Sequence, residues 1–365
     1  MHFITSFLTL IAASISLHCN EQDSFPKAFA QDGVRIVKSG LSNPWEITFA
    51  KDGSIWMTER DGKVSRVDAS SGNTSFSFTI PEVQSRGEGG LLGMALHPDF
   101  LRNGWIYLVY DYKGSNGYTE KLVRYTYKQN SLIDPVVLID NIEAAGIHNG
   151  SRLWITDEPS PKIFMSTGDA SHQGLAQKKN TVNGKILRLN IDGSIPADNP
   201  FPGNPVWTFG HRNPQGLVMA NGKLYSSEHG PTEEDEVNII EKGRNYGWPN
   251  VEGPCNDDEV EFCRSNNVKE PIWSSGDHTL AVCGIDFYHH ALIPQWKNSL
   301  LMVTLKNSTL WQLKLDDSGT KIIQTKPFFE NKRGRLRDVC ISTDGKVYVC
   351  TGNGKDDKII EITKL

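Results

Sequence analysis

The stretch DGKVYVCTG, residues 344–352, places an Asp-Gly turn directly before a short run of β-branched and aromatic residues. Such a run between turn residues is typical of a β-strand. The same phrase recurs five more times along the chain. The other copies are DGSIWMTE (52–59), NGWIYLVY (103–110), PKIFMSTGD (161–169), NGKLYSSE (221–228) and KNSLLMVTL (297–305). The six copies together predict a protein built from repeated β units.

A second strand follows most copies of this phrase after a short turn. These second strands are GKVSRVD (62–68), KLVRYTY (121–127), GKILRLN (184–190), TLWQLKL (309–315) and DKIIEIT (357–363). Alternating segments joined by turns predict hairpins, and no long segment has helical periodicity. Six such units predict an all-β, six-bladed β-propeller, because a closed ring buries both faces of each sheet and leaves few exposed edges. A pair of β-sandwiches is the alternative.

The propeller is expected to occupy residues 30–365 as a single domain. Within it, residues 250–282 fit the repeat poorly and are rich in Gly, Pro, Asn and Asp, so we interpret them as an insertion loop. The 365-residue chain is 38% hydrophobic, which is sufficient for a large core, and its formal net charge of -5 gives no reason to expect a nucleic-acid partner.

The N-terminus differs from the rest of the chain. Residues 3–17 (FITSFLTLIAASISL) form an uncharged apolar run that is short for a bilayer span and typical of a signal-peptide core. We therefore interpret residues 1–19 as a signal peptide or a lipoprotein signal, with Cys19 as a candidate lipid anchor. The resulting prediction is an exported protein, periplasmic or anchored to a membrane as a lipoprotein. A disordered start is the alternative.

Six cysteines occur, and none shows the CxxC spacing of a zinc site. Cys255 and Cys263 bracket a short polar loop, and Cys340 and Cys350 flank a turn between two predicted strands. Export permits a disulfide in each pair, whereas a free buried thiol is the alternative for each. Cys283 would then be unpaired.

The segment 210–249 holds the densest group of candidate site residues. It contains GHRNPQGL (210–217), EHGP (228–231), DEVN (235–238) and NYGWP (245–249). A cation beside polar amides, as in Arg212-Asn213, suits an anionic ligand. Carboxylates near Gly and Pro turns suit calcium, which prefers oxygen ligands.

Outside this segment the candidates are one histidine and several cations. His148, in the turn GIHNGSRL, is suited to act as a general base, although a lone histidine is more often structural. Lys306 ends an apolar run, and Arg335 and Arg337 alternate along a predicted strand and so face the same side. Two arginines on one face repel each other unless an anion joins them, yet each one alone is usually a solvated surface charge.

These stretches, in this order, resemble the soluble PQQ-dependent aldose sugar dehydrogenases of the glucose/sorbosone dehydrogenase family. The resemblance extends from about residue 40 to residue 362. It is carried by the motifs of segment 210–249 and by GEGGLLGMALHPDF (87–100), HNGSRL (148–153), GKILRLNIDGSIPADNPF (184–201), IPQWKNSL (293–300), LK (305–306) and GRLRDV (334–339).

The resemblance implies oxidation of aldose sugars at C1 to lactones, with hydride transfer to PQQ and His148 as the general base. It implies calcium as a second cofactor, held by Glu236 and the backbone carbonyl of Tyr246. It leaves the electron acceptor open between a quinone and a cytochrome. The implied PQQ-binding residues are Arg212, Asn213, His229, Lys306, Arg335 and Arg337.

Two positions depart from the pattern of the glucose-specialised relatives. His229 stands where those relatives have Gln, and Glu88, an implied sugar contact, stands where many have Gln. Both changes bear on which sugar is preferred.

Two functions compete with the dehydrogenase. The same propeller serves as a binding module in hedgehog-interacting-type proteins, so this chain could bind a protein or glycan without catalysis. Calcium-dependent lactone hydrolysis is a third hypothesis, which the set of cations does not support. The presence of His148 together with the cations favours the dehydrogenase, because a chain without catalysis has no need to combine them.

Overall fold

The computed structural model describes residues 33–115 and 117–365. The predicted signal segment 1–19 and Cys19 therefore lie outside the described residues. No helix within the described ranges is long and apolar enough to span a membrane.

The described strands form six four-stranded antiparallel sheets, which confirms the predicted six-bladed β-propeller. Strand β1 (Val34–Leu41) is the outer strand of the sixth blade. The first blade holds β2 (Pro44–Phe49), β3 (Ser54–Glu59), β4 (Lys63–Asp68) and β5 (Thr74–Thr79). The second holds β6 (Leu91–Leu96), β7 (Trp105–Gly114), β8 (Gly117–Lys128) and β9 (Ser131–Glu143). The third holds β10 (Gly150–Ile155), β11 (Lys162–Thr167), β12 (Lys185–Asn190) and β13 (Val206–Phe209).

The remaining blades follow the same order. The fourth holds β14 (Pro214–Ala220), β15 (Lys223–Glu228), β16 (Glu236–Ile240) and β17 (Trp273–Ser274). The fifth holds β18 (Val282–Tyr288), β19 (Ser299–Thr304), β20 (Leu310–Leu315) and β21 (Ile322–Phe328). The sixth holds β22 (Leu336–Ile341), β23 (Val347–Thr351), β24 (Asp357–Ile362) and β1. Two short helices, α1 (Phe100–Asn103) and α2 (Val260–Ser265), lie between strands.

The recurring phrase of the sequence corresponds to the second strand of every blade: β3, β7, β11, β15, β19 and β23. The glycines of its turns have positive φ, which favours glycine over residues with a side chain; φ is 82° at Gly53 and 86° at Gly345. The first strands of successive blades, β2, β6, β10, β14, β18 and β22, contact one another in a closed ring around the axis. They are the innermost strands.

The hydrophobic core is divided among the six interfaces between blades. One buried cluster lies at each interface; for example, Trp56 of the first blade packs with Leu108 of the second. Tyr107 of the second blade packs with Met165 of the third in the next cluster. The core is therefore distributed around the ring, between neighbouring blades, and closure of the ring buries the faces of the first and last blades.

Segment 250–282, expected to be an insertion loop, is only partly irregular. It contains α2 and contributes β17, the outermost strand of the fourth blade. The loop carries a disulfide between Cys255 and Cys263. Cys340 and Cys350 are free and buried, so the second candidate bridge does not form, and Cys283 is also free.

Burial on the strand that closes the ring predicts a clear difference in stability. Ile359 in β24 is fully buried, whereas Ile323 in β21 is 63% exposed. We expect Ile359→Ala to lower the free energy of unfolding by about 2–5 kcal/mol through lost burial and a cavity. The control Ile323→Ala should cost less than about 0.5 kcal/mol. Denaturant titration measures both, and equal losses would contradict the assignment of β24 to the core.

Candidate functional site

The candidate site residues collect at one end of the axial channel. Glu88, His148, Arg212 and Arg335 come just before the innermost strands β6, β10, β14 and β22. His229 and Lys306 follow the second strands β15 and β19, which run antiparallel to their innermost neighbours. Because the innermost strands run in parallel around the ring, all six positions lie at the same end. Residues from five blades therefore surround one space.

His148 forms a hydrogen-bonded dyad with Asp169. Its Nδ1 lies 2.8 Å from Oδ1 of Asp169, a fully buried residue at the end of the β11 strand region. The indole N–H of Trp248 donates to the other carboxylate oxygen at 2.9 Å. Burial acts to raise the pKa of Asp169, but the hydrogen bonds from His148 and Trp248 outweigh it, so this pKa is below its ordinary value. The carboxylate stays ionised and orients the imidazole.

The turn that carries His148 adopts an unusual backbone conformation. His148 and Ser151 have positive φ values of 61° and 76°. The side chain of Asn213 stabilises this turn, because its Oδ1 accepts a hydrogen bond from the backbone N–H of Gly150 at 3.0 Å. Asn213, predicted to contact a cofactor, thus also fixes the backbone beside the candidate base.

Glu228 ties the Arg212-Asn213 pair to the fourth blade. Its Oε1 accepts hydrogen bonds from the backbone N–H groups of Arg212 and Asn213. Its Oε2 lies 2.8 Å from Nδ1 of His211, whose ring stacks on Tyr246 with 4.5 Å between ring centroids. This network explains the co-occurrence of the GHRNPQGL, EHGP and NYGWP motifs in the sequence.

Two buried nitrogen atoms of the site lack a hydrogen-bond partner within the ranges that the structure describes. Nε of Arg212 and Nε2 of His229 are buried and have no hydrogen-bond partner among the described residues. Burial, together with the nearby Arg337 and Arg212, lowers the pKa of His229 to about 3, so its ring is neutral at physiological pH. Buried polar atoms without partners are costly, and a polar ligand would satisfy them.

The predicted cations are available to such a ligand. Within the described ranges, neither Lys306, Arg335 nor Arg337 forms an ion pair with a carboxylate. Arg60 was not among the residues predicted from the sequence, but it faces the same space. Burial is the main cause that lowers its pKa, and the nearby Arg337 and Arg335 lower this pKa further. The channel end therefore carries more positive charge than the sequence motifs indicated.

Glu88 lies exposed on this cationic side. Its backbone N–H donates to the carbonyl of Gly146 at 2.7 Å, which joins its loop to the loop of His148. Its charge is close enough to act on Arg60 and Arg212.

Glu236 lines a cavity of about 20 Å³, enough for one water molecule or ion, and Arg212 and His229 line it from the side of the cationic site. Burial and the neighbouring Glu228 raise the pKa of Glu236 to about 8. Glu234 and Glu252 also line this cavity, as do Gly230 and Pro231. In the described part of the chain, no three acidic, His or Cys side chains converge closely enough to hold a metal. An ion here would need backbone carbonyls as further ligands.

Tyr246, the other predicted calcium ligand, does not line this cavity. Its ring stacks on His211 and its hydroxyl donates to the carbonyl of Ile239 at 2.6 Å. The structure therefore brings Glu236 to an acidic cavity and anchors Tyr246 beside it through His211 and Glu228.

Two further residues of the site escaped sequence reasoning for different reasons. Asp169 ends the third copy of the repeated phrase, but nothing in the sequence indicates that it lies beside His148. Only the fold brings the two residues together. Asp235 lies inside the DEVN motif, and its buried carboxylate accepts hydrogen bonds from the N–H groups of Gly230 and Ala281 at 2.9 and 2.8 Å. It joins the loop of His229 to the start of β18.

Comparison with known proteins identifies the family. The family model "Glucose / Sorbosone dehydrogenase" matches residues 41–361. The chain therefore belongs to the glucose/sorbosone dehydrogenase family, a family of oxidoreductases.

Individual relatives cover almost the whole chain. Quinoprotein glucose dehydrogenase B of Acinetobacter calcoaceticus is 33% identical, over 91% of this chain and 89% of that protein. Aldose sugar dehydrogenase YliI of Escherichia coli K12 is 29% identical, over 87% of this chain and 89% of that protein. The PQQ-bound form of aldose sugar dehydrogenase from Streptomyces coelicolor superimposes with a TM-score of 0.80 at 31% identity, covering 90% of this chain and 97% of that one.

The hydrogen bond from Gly150 to Asn213 predicts that Asn213 stabilises the His148 turn. We expect Asn213→Ala to leave the buried N–H of Gly150 without a partner, which costs about 1–3 kcal/mol of unfolding free energy. Exchange of the Gly150 amide hydrogen should also become faster. Asn73→Ala, at an exposed asparagine whose side chain forms no hydrogen bond with the described residues, is the control and should change neither quantity. Unchanged exchange at Gly150 would show that the turn holds without Asn213.

Proposed function

We propose that this protein oxidises aldose sugars at C1 to lactones, with PQQ as redox cofactor and calcium as a bound ion. The observation that carries the proposal is the His148–Asp169 dyad, which lies at the same channel end as a set of cations without a carboxylate partner and two buried nitrogen atoms without a hydrogen-bond partner among the described residues. The relatives named for sugar dehydrogenase activity, and the neighbour that binds PQQ, support the choice of substrate and cofactor.

The residues present fit PQQ, which carries three carboxylates and quinone oxygens. Arg335, Arg337 and Lys306 would hold the carboxylates through charge-assisted hydrogen bonds, which are stronger than neutral ones. The buried Nε of Arg212 and the neutral ring of His229 would meet the remaining polar edge. When bound, PQQ accepts a hydride from C1 of the sugar.

The chain supplies the proton chemistry. With Nδ1 of His148 bonded to Asp169, the other ring nitrogen is free to accept the proton of the C1 hydroxyl. The Asp169 carboxylate fixes the tautomer and stabilises the imidazolium that forms, in the manner of an orienting carboxylate in a catalytic triad. Glu88 at the channel mouth would accept hydrogen bonds from sugar hydroxyls. The non-catalytic alternative gives no reason for this dyad to be maintained.

Calcium would occupy the acidic cavity beside Glu236. The cavity has the size of one ion, and the carboxylates in its lining (Glu228, Glu234, Glu236 and Glu252) outnumber its one cationic side chain, Arg212, which favours a cation. Glu236 would be a ligand together with backbone carbonyls, among which the Tyr246 carbonyl remains the sequence prediction.

Export completes the proposal. The apolar run at residues 3–17 and the Cys255–Cys263 disulfide both suit an oxidising compartment, where such bridges persist. Lipidation of Cys19 and the identity of the electron acceptor remain sequence hypotheses.

Turnover with a panel of aldoses tests the reaction. Purified protein loaded with PQQ and calcium should reduce a dye acceptor when an aldose is added. Loss of the base should lower kcat by about 10²–10⁴-fold in His148→Ala, with PQQ binding retained. His172→Ala, at an exposed histidine of a neighbouring loop, is the matched control. Absence of turnover with every aldose, together with no absorbance change on adding PQQ, would refute the proposal.

Thermal unfolding of the apo-protein tests the calcium site separately. Calcium at 100 times its Kd should stabilise the fold by about 2.7 kcal/mol, and a chelator should reverse the effect. Glu236→Gln should abolish this stabilisation because a charged ligand is lost. The control Glu330→Gln, at an exposed glutamate of the fifth blade, should respond to calcium as the parent does. An equal response from both variants would place calcium elsewhere.

A further inference from the structure

The position of Arg337 depends on neutral partners. Its Nη1 donates to Oε1 of Gln215 at 2.7 Å and lies 3.5 Å from Sγ of Cys283. Burial raises the pKa of Cys283 to about 11, so this neighbour is a thiol without charge. Among the described residues, no carboxylate forms an ion pair with Arg337. Its positive charge is thus held in place but not cancelled.

The cations around Arg337 oppose this placement, and the exposed Glu88 is the carboxylate that faces the same side. Arg60 and Arg335 face the same space, and Arg337 acts electrostatically on both Arg60 and His229. A guanidinium among like charges would be favoured to turn toward solvent, where water screens the repulsion. The hydrogen bond from Arg337 to Gln215 opposes that movement.

Gln215 is itself rigidly held. It lies in β14 with only 5% of its surface exposed, and its backbone carbonyl accepts a hydrogen bond from Nε of Arg152 at 2.8 Å. Arg152 forms buried ion pairs with Glu46 at 2.5 Å and with Asp338 at 3.1 Å. Asp338 directly follows Arg337 in the chain. Gln215 therefore connects the axial ion network to the cation through its backbone and its side chain.

We infer that Gln215 is a positioning residue, which directs the uncompensated charge of Arg337 toward a carboxylate of the bound cofactor. This inference rests on the proposed function. A neutral amide oxygen is suited to the role because it accepts a directed hydrogen bond without adding negative charge. A carboxylate at the same place would hold Arg337 equally well, but it would cancel the charge that the anionic cofactor needs. Residue 215 therefore suits this role as a neutral Gln and would not suit it as a charged Glu.

Two variants separate the hydrogen bond from the charge. Gln215→Met keeps the length of the side chain but lacks the oxygen acceptor. Gln215→Glu keeps the acceptor and adds a negative charge. PQQ binding is measured on the apo-protein by the absorbance change of PQQ, from pH 8 down to pH 4 in roughly one-unit steps, so that the lower end reaches the ordinary pKa of a glutamic acid, about 4.3. Thermal unfolding of each apo-variant shows that it is folded.

We expect Gln215→Met to weaken PQQ binding about tenfold at every pH, because a hydrogen bond to a charged group is lost. At pH 8, Gln215→Glu should bind PQQ at least as weakly as Gln215→Met does. Its affinity should recover toward that of the parent as the pH falls, since protonation removes the introduced charge. The parent, measured over the same range, accounts for titration of PQQ itself. A purely structural role would not produce recovery in the Glu variant alone.

Binding by Gln215→Met within about twofold of the parent would overturn the inference, and so would tight binding by Gln215→Glu at pH 8. If the Met variant is destabilised, the Glu variant still tests the role of Gln215, because it retains both the length of the side chain and the oxygen acceptor. Failure of the parent to bind PQQ would overturn the proposed function and this inference with it. That outcome is distinguishable because it appears before any substitution is made.

Discussion

The pairing of β1 with β24 closes the ring, and the rest of the molecule depends on it. The first described strand joins the last three strands of the chain in one sheet, with Val34 opposite Ile362. Arg35 of β1 and Glu361 of β24 form an ion pair at 2.8 Å, which stabilises this pairing. Arg35 also donates to the carbonyl of Ala69 at 2.8 Å, in the turn after β4, so the closing strand contacts the first blade. Without closure, the first and sixth blades would each expose a hydrophobic face.

Closure also determines what lies on the axis. The innermost strands bring Arg152, Glu46 and Asp338 from the third, first and sixth blades into one buried ionic cluster. Burial raises the pKa of Glu46 and of Asp338, although Arg152 acts in the opposite direction on both. Such a cluster is costly to desolvate and contributes little net stability, but it specifies how the blades are arranged around the axis. It lies beneath the cationic channel end and fixes Gln215, so the geometry of the core is coupled to that of the site.

The sequence predicted the repeated part of the fold better than its centre. The copies of the phrase identified the second strands, and the hairpin partners in five blades identified the third strands, because both alternate regularly and are bounded by turns. The innermost strands are more irregular: register shifts occur between Pro44 and Glu46 and between Leu336 and Asp338. Arg335 and Arg337 were expected on one strand, but β22 begins at Leu336. Strand β17 was missed because its two residues give no periodic signal.

By itself, the sequence determined the class of fold, the family and the residue types at the site, because turns, alternation and co-linear motifs are local properties. It also indicated two cysteine pairs without deciding between bridge and thiol. Only the tertiary structure decided that Cys255 and Cys263 join, while Cys340 and Cys350 stay apart. Only the tertiary structure gave His148 its Asp169 and Arg337 its Gln215, and assigned Asn213 to the turn of the base. Gln215 and Arg337 belong to the fourth and sixth blades, and Asn213 and Gly150 to neighbouring blades, so these contacts exist only once the blades have assembled. His148 and Asp169 meet within the third blade, where pairing of its first two strands brings their loops together.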